Sequence, residues 1–344
     1  MVLCKRLHQG NRIVKEKTTI YTIAEMAGVS IATVSRIVNN TFRGKEEVRR
    51  TVLDAIRRTN YQPKREARGL MGKKTSSRMI GVMAPFFIHP FFVEVLKGCY
   101  QAIHEHQYSI VLYDVDTRRM KKQLFERIME ENFLDGLLLV NMHLNEQEYR
   151  RITDRMPLTL VAAQTDFAES VVVDHYKGIC MGVDYLNELG HRIVAFINNE
   201  KEIFESVIRE RAFRERAEKL GIQYKVDYRS VDRRSGYLAA RSILENNSDV
   251  TCLFYYSDLM AYGGLDYINE RQLQSKVSII GFDGFEMTFQ VSLTTIAQPM
   301  QRMGELGANM LIEKIENPDA EDKSIVLDPW LDKGKTCGAV SHEQ

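Results

Sequence analysis

A chain of 344 residues, 44% hydrophobic and 27% charged, has a globular composition and room for one small and one large folding unit. Its net charge of +1 conceals a division, because residues 1–75 carry 17 Lys and Arg against 6 Asp and Glu and the remainder is acidic. No apolar run reaches the ~20 residues of a membrane span, residues 1–17 lack a secretory apolar stretch, and the five cysteines show neither CxxC spacing nor paired histidines, which excludes a metal cluster or a compact disulfide framework.

A basic front on an acidic body suits a protein that meets phosphates with one end; a solvated basic tail is the plainer reading of the same charges. With no signal segment, a cytoplasmic protein with reduced, mostly buried thiols is expected. Residues 1–18 are polar and basic without periodicity and read as a disordered arm.

Between Thr19 and Tyr61 the apolar period is helical and short. Thr22 is expected to cap a helix through Ile23, Ala24, Met26 and Ala27. Gly28-Val29 then turns the chain, and Ser30 caps a second helix from Ile31 to about Val38. A third helix is predicted from about Lys45 to Thr59, with an apolar stripe of Val48, Val52, Leu53 and Ile56. The expected core of this three-helix bundle, residues 19–63, is Ile23, Ala27, Val29, Val34, Ile37, Val52 and Ile56. Pro63 ends it. Residues 64–77 form a basic linker with helical tendency near Glu66–Met71.

From residue 78 to residue 344 the texture changes to strands alternating with helices. Strands are predicted at Met79–Ala84, Ser109–Tyr113, Gly136–Val140, Leu158–Ala162, Ile193–Ile197, Thr251–Tyr255 and Val277–Phe282, with helices such as Phe92–His106 and Lys121–Asn132. Such runs indicate α/β architecture with parallel sheets covered on both faces, here long enough for two doubly wound lobes.

The segment Thr19–Asn40 has the parts of a helix-turn-helix: a first helix, a Gly turn, and a second helix opening on short polar residues. Small side chains let that helix enter the ~12 Å wide major groove, where hydroxyls and helix N-terminal amides hold phosphates and Arg reads guanine or phosphate. An ordinary αα-hairpin shares the pattern. The string AGVSIATVSRIVN, however, closely resembles the AGVSxxTVSRVLN signature of the lactose-repressor (LacI/GalR) family of bacterial regulators. Seven further stretches follow in that family's order: Tyr61-Gln62-Pro63, ARGLM (Ala67–Met71), MIGVMAPFFIHPFF (Met79–Phe92), LGHRIVAFI (Leu189–Ile197), SDLMAYG (Ser257–Gly263), VSIIGFDG (Val277–Gly284) and LTTIAQP (Leu293–Pro299).

The resemblance implies a DNA-binding headpiece, a hinge helix, and a core like the periplasmic sugar-binding proteins. Ile31 and Ala32 match the positions that read base edges; both are apolar here and suit a thymine methyl. Arg36 takes the third base-facing position. Thr19, Tyr21, Ser30, Thr33, Ser35 and Asn39 match positions that contact the DNA backbone or pack the motif, and Leu70 matches a leucine that wedges into the minor groove. Arg43-Gly44-Lys45, Val48-Arg49 and Lys64 depart from the family pattern while preserving or adding positive charge.

In the core the resemblance places three crossings between the lobes, near Asp174–Tyr176, Ala297–Met300 and Ser324–Asp328, and an effector in the cleft. Arg209 and Asp283 match its ligand anchors; His89 and Ser257 stand where Asn is frequent. Phe91 either stacks on a ligand or belongs to the core. Asp258 reads as a structural cap. Ala162 and Val231 depart from the sugar-binding pattern, so a sugar, a sugar derivative or a nucleoside all remain open.

No GxSxG, HExxH or GxGxxG occurs, so neither catalytic residues nor a cofactor or metal is expected. The tail lacks leucine heptads, and a homodimer on double-stranded operator DNA is the expected assembly. The expected function is a sequence-specific transcriptional repressor of carbohydrate or related metabolic genes. A solute-binding protein of the same core fold is the alternative.

Overall fold

A computed structural model describes residues 19–38, 42–59, 77–85, 87–115, 118–131, 133–201, 203–285 and 292–340. The chain divides into two units after Ser76. The expected basic arm, Asn39, the headpiece end at 61–63, most of the 64–77 linker and Leu70 lie outside the described residues.

In the first unit, α1 (Ile20–Ala27), α2 (Ile31–Val38) and α3 (Glu46–Thr59) pack around Ile23, Ala24, Val34, Ile37, Val52 and Ala55. The expected Ala27, Val29 and Ile56 lie partly buried against this cluster, and Ala24 and Ala55 join it where helices approach closely. The cap of α1 is Thr19 rather than Thr22: the Thr22 amide donates to Thr19 Oγ1 and the Thr19 amide to Thr22 Oγ1. The reciprocal pair satisfies two orphan amides, so the helix starts three residues earlier than expected. Gly28 ends α1 at φ +62°, a left-handed conformation that costs glycine little. Glu46 and Glu47 in the first turn of α3, and Arg57 and Arg58 in its last, complement the helix dipole.

The second unit holds two six-stranded sheets. The first lobe contains β1 (Met79–Ala84), β2 (Ser109–Asp114), β3 (Gly136–Val140), β4 (Leu158–Val161) and β5 (Ser170–Val173), joined by β11 (Ser324–Leu327) in the order β11-β5-β4-β3-β1-β2. The second contains β6 (Ile193–Asn199), β7 (Gln223–Arg229), β8 (Cys252–Tyr255), β9 (Ser278–Asp283) and β10 (Thr294–Ala297), with β12 (Trp330–Asp332), in the order β12-β10-β9-β8-β6-β7. All pairings are parallel except that of β12 with β10. β5, β7, β10, β11 and β12 were not among the predicted strands. Three of them, β7, β11 and β12, are half-exposed edge strands whose apolar signal is weak.

The chain passes between the lobes three times: from β5 into α7 (His175–Glu188), from β10 into α11 (Met300–Glu316), and from β11 to β12. These are the three expected crossings. The first and third are tied together, since the Asp174 amide donates to the Leu327 carbonyl and Lys177 Nζ lies 2.7 Å from Asp328 Oδ1. In the first lobe α4 (Pro90–Glu105) and α11 meet backbone to backbone. A Cβ on Gly98 would strike the Gln301 carbonyl, and one on Gly304 the Val95 carbonyl. The close approach fixes α4, whose N-cap is His89.

Candidate nucleic-acid face and ligand cleft

On α2, Val34 and Ile37 point into the headpiece core, which turns Ala32 and Arg36 outward; Ile31, in the first turn, is exposed as well. Ile31 is 41% exposed, unusual for an isoleucine of a small bundle. Ser30 is tied to Thr33 twice, by the Thr33 amide at 3.2 Å and hydroxyl to hydroxyl at 2.9 Å, so these two polar residues shape the turn. Thr19 is engaged in capping, Tyr21 projects outward from α1, and Ser35 is half-buried.

In the second unit a cleft of about 700 Å³ opens where the strands of both sheets end at their C-terminal edges, the usual ligand position in parallel α/β sheets. His89, Phe91, Arg209, Ser257 and Asp283 all line it. So do Ala162 and Val231, and four residues that sequence reasoning did not single out: His143, His175, Glu205 and Gln298. Gln298 lay within a quoted motif; the other three carry no local signal.

Arg209, on α8 (Phe204–Leu220), is 3% exposed. Its guanidinium lies 3.7 Å from the Phe282 ring centroid and 4.4 Å from that of Tyr256. One terminal nitrogen donates to the Tyr256 carbonyl, the other lies 3.3 Å from His175 Nδ1, and Nε is buried without a partner. A permanently charged donor fixes the tautomer of its neighbour: His175 accepts at Nδ1 and therefore carries its proton on Nε2. Burial first, then the adjacent Arg209 charge, push the His175 pKa well below its ordinary value.

His89 is held the same way. The Phe91 amide donates to His89 Nδ1 at 3.2 Å, and burial lowers the imidazole to about 4, so the ring is neutral with its proton on Nε2. That Nε2 is buried and lacks a partner. His89 thus both caps α4 and presents a donor. Phe91 is buried edge-on against Phe92 with its centroid 5.3 Å away while also lining the cleft, so it serves as core and wall together.

Asp283 ends β9 at φ +136°, and Asn141 and Ala162, also lining the cleft, have φ of +52° and +55°. Such strain persists only where neighbours over-determine it. Here Gln298 clasps Asp283, with its side-chain amide on Oδ1 and its backbone amide on the Asp283 carbonyl, both at 2.8 Å. Asp258, the first residue of α10 (Asp258–Glu270), is not the cap; Ser257 is, accepting from the Met260 amide. Fully buried Asp258 instead accepts from the Gly284 and Phe285 amides and the Thr295 hydroxyl. Ser257 therefore owes its hydroxyl largely to a helix end, though it borders the cleft.

Across the cleft, His143 of the first lobe faces Glu205 of the second, with Nε2 3.5 Å from Oε1, an ion pair longer than a formed hydrogen bond. The Glu205 carboxylate raises the His143 pKa, against burial and against Lys121. A raised value makes the pair fully present below the ordinary histidine range and lost as pH rises through the shifted one. We expect His143→Gln to lower the melting temperature at pH 6 and to approach the parent protein above pH 8. A difference that stays constant with pH would show that His143 contributes packing alone.

Among the described residues no helix is long and apolar enough to cross a membrane, and no group of three acidic, His or Cys side chains is placed to hold a metal.

Two family models match the chain. One, described as bacterial regulatory proteins, lacI family, matches residues 19–64; the other, a periplasmic binding protein-like domain, matches residues 183–337. An HTH-type transcriptional repressor PurR of Escherichia coli O1:K1 / APEC is 30% identical over 329 residues, spanning 91% of this chain and 95% of that protein. The ribose operon repressor of Halalkalibacterium halodurans is 28% identical over 304 residues, spanning 87% and 91%. Among solved structures, a lac repressor dimer bound to operator and the anti-inducer ONPF superposes with TM-score 0.76 at 22% identity, covering 95% of this chain and all of that one. A transcriptional regulator CelR–cellobiose complex does so with TM-score 0.68 at 23% identity, over 93% of this chain and all of that one. At these identities the structural likeness concerns the fold.

Proposed function

Since the chain belongs to the lacI family of bacterial regulatory proteins, we propose that it is a cytoplasmic, non-enzymatic repressor of carbohydrate or related metabolic genes, acting as a homodimer on operator DNA. The observation that carries this reading is the outward face of α2: Ile31, Ala32 and Arg36 project from a helix that buries Val34 and Ile37. Ile31 and Ala32 meet thymine methyl groups, Arg36 reaches a guanine edge or a phosphate, and Thr19, Tyr21, Ser30, Thr33, Ser35 and Asn39 hold the backbone or the motif. Leu70 supplies the minor-groove wedge.

The cleft takes a small polar effector. Neutral His89 and permanently charged Arg209 offer unpartnered buried donors, and buried Glu205 Oε2 an unpartnered acceptor. A ligand that satisfies them carries hydrogen-bond acceptors toward the first two and a donor toward the third. Asp283 beside them binds hydroxyl or N–H groups, and apolar walls such as Phe91 and Val231 cover a ring face. Sugars, sugar derivatives and nucleosides have this chemistry. Occupancy closes the lobes and changes operator affinity; a coupling of about 1–3 kcal/mol gives a 5–150-fold response.

Genome-fragment capture with the purified protein at two salt concentrations tests the reading. A recovered palindrome whose binding responds to a candidate sugar or nucleoside supports it; salt-sensitive binding without sequence preference would sink it. Against that operator Arg36→Ala is expected to weaken specific binding by about 10-fold or more. Arg36 is exposed, so the headpiece is expected to keep its fold.

A further inference from the structure

Two of the cysteines lie together at the base of the second lobe, at the end of the sheet away from the cleft. Cys252 opens β8 and Cys337 belongs to the tail that follows β12. Their side chains enter the same apolar cluster beneath the sheet. Two independent ties hold the backbones in place. His191 bridges the flanking residues, with Nδ1 2.9 Å from Thr251 Oγ1 and Nε2 3.2 Å from the Gly338 carbonyl. The tail also runs along β9, the neighbour of β8: the Ile279 amide donates to the Thr336 carbonyl, Cys337 Sγ to the Ile279 carbonyl, and the Gly338 amide to Ser278 Oγ.

A thiol pair preset in this way needs little backbone movement to be joined. Cys252 is 0% exposed and Cys337 is partly exposed, so an oxidant reaches Cys337 first. We infer that Cys252 and Cys337 form a peroxide-responsive disulfide that fastens the tail to the base of the second lobe. The Cys337 thiol takes one oxygen from a hydroperoxide such as hydrogen peroxide, giving a sulfenic acid and releasing the first water. The Cys252 sulfur then attacks Cys337 Sγ; the S–S bond forms, the S–O bond breaks, and hydroxide leaves with the Cys252 proton as the second water. Two thiols are oxidised by two electrons and one peroxide is reduced to two waters. The bond closes a loop reaching from β8 to the tail, so it removes much freedom from the unfolded chain.

The test uses the full-length protein, reduced, freed of reductant and treated with stoichiometric hydrogen peroxide. Peptide mapping without reductant is expected to recover the Cys252 and Cys337 peptides joined, two hydrogens lighter than the separate pair. A melting temperature higher by at least about 5 °C should accompany the bond and vanish on adding a thiol reductant. Cys337→Ser, in the tail, abolishes both changes, whereas Cys180→Ser leaves both. Buried Cys252 need not be replaced, so loss of folding does not confuse the result. Separate peptides with both thiols alkylated, Cys337 oxidised further without a partner, or linkage to Cys180 would each overturn the inference, whatever DNA or effector the protein binds.

Discussion

Arg209→Met is expected to weaken effector binding by at least about 100-fold and to leave operator binding without effector close to that of the parent. The guanidinium is the one buried side chain of the cleft whose charge does not depend on pH. It lies against Phe282 and Tyr256, so most of its cost of leaving water is offset by aromatic faces, the Tyr256 carbonyl and His175. Its Nε remains for a ligand. Removing a buried charged donor from a ligand contact typically costs about 2–5 kcal/mol, and each 1.4 kcal/mol is tenfold. Methionine retains length and apolar volume, so the rings keep a neighbour. Isothermal titration with the effector found by the operator screen measures the change. An affinity within about threefold of the parent would show that Arg209 is a core cation and not a ligand anchor.

Asp258→Ala is expected to lower the stability of the second unit by about 3 kcal/mol, on the order of 10 °C in melting temperature, and to weaken effector binding as well. One carboxylate here satisfies two backbone amides and a hydroxyl, all from the turn and strand that carry and follow Asp283. Alanine leaves these donors buried and unpaired, at roughly 1–3 kcal/mol each before relaxation. The Gly284–Phe285 turn then loses one of the two supports of Asp283 at φ +136°, leaving only the Gln298 clasp, which is why affinity falls together with stability. Burial lifts the Asp258 carboxyl to about 7, against the three donors that lower it. A folded-state value above the unfolded one means that this group's contribution declines as pH rises through about 7. Calorimetry from pH 5.5 to 8.5, paired with effector titration, separates the outcomes. Unchanged melting with unchanged affinity would show that the turn holds itself.

The cleft's polar character follows from pairing geometry more than from residue identity. Three histidines border it, and they do different things. His89 and His175 are locked as neutral donors by an amide and by Arg209, whereas His143 is pulled toward its charged form by Glu205. A ligand that displaces Glu205 from His143 changes that histidine's protonation, so effector binding in this protein should itself release or take up protons.

By itself the sequence determined the headpiece, the alternation of strands and helices, the three crossings, and the placement of Arg209 and Asp283 at the cleft. The headpiece and the alternation are written in local patterns, while the crossings and the two anchors follow from the resemblance to the family. A helix with Val34 and Ile37 on one face must turn Ala32 and Arg36 to the other, and a run such as Val277–Phe282 is apolar because both faces of its strand are covered. Capping was harder to place, because Thr19 and Thr22 are equally good caps and only the reciprocal pair of hydrogen bonds chooses between them. The edge strands β7, β11 and β12 escaped because none has a fully buried face to mark it as an apolar run, although Gln223–Arg229 alternates polar with apolar residues. Tertiary structure alone decided the rest. Asp258 looks like a helix cap in its own neighbourhood, yet it serves a turn 26 residues away, and Ser257 takes the cap instead. His143 meets Glu205 only where the two lobes face each other across the cleft, and Cys252 meets Cys337 only where the tail returns beside the second sheet. Patterns of period two and 3.6 report which face of an element is covered; they carry no record of what covers it.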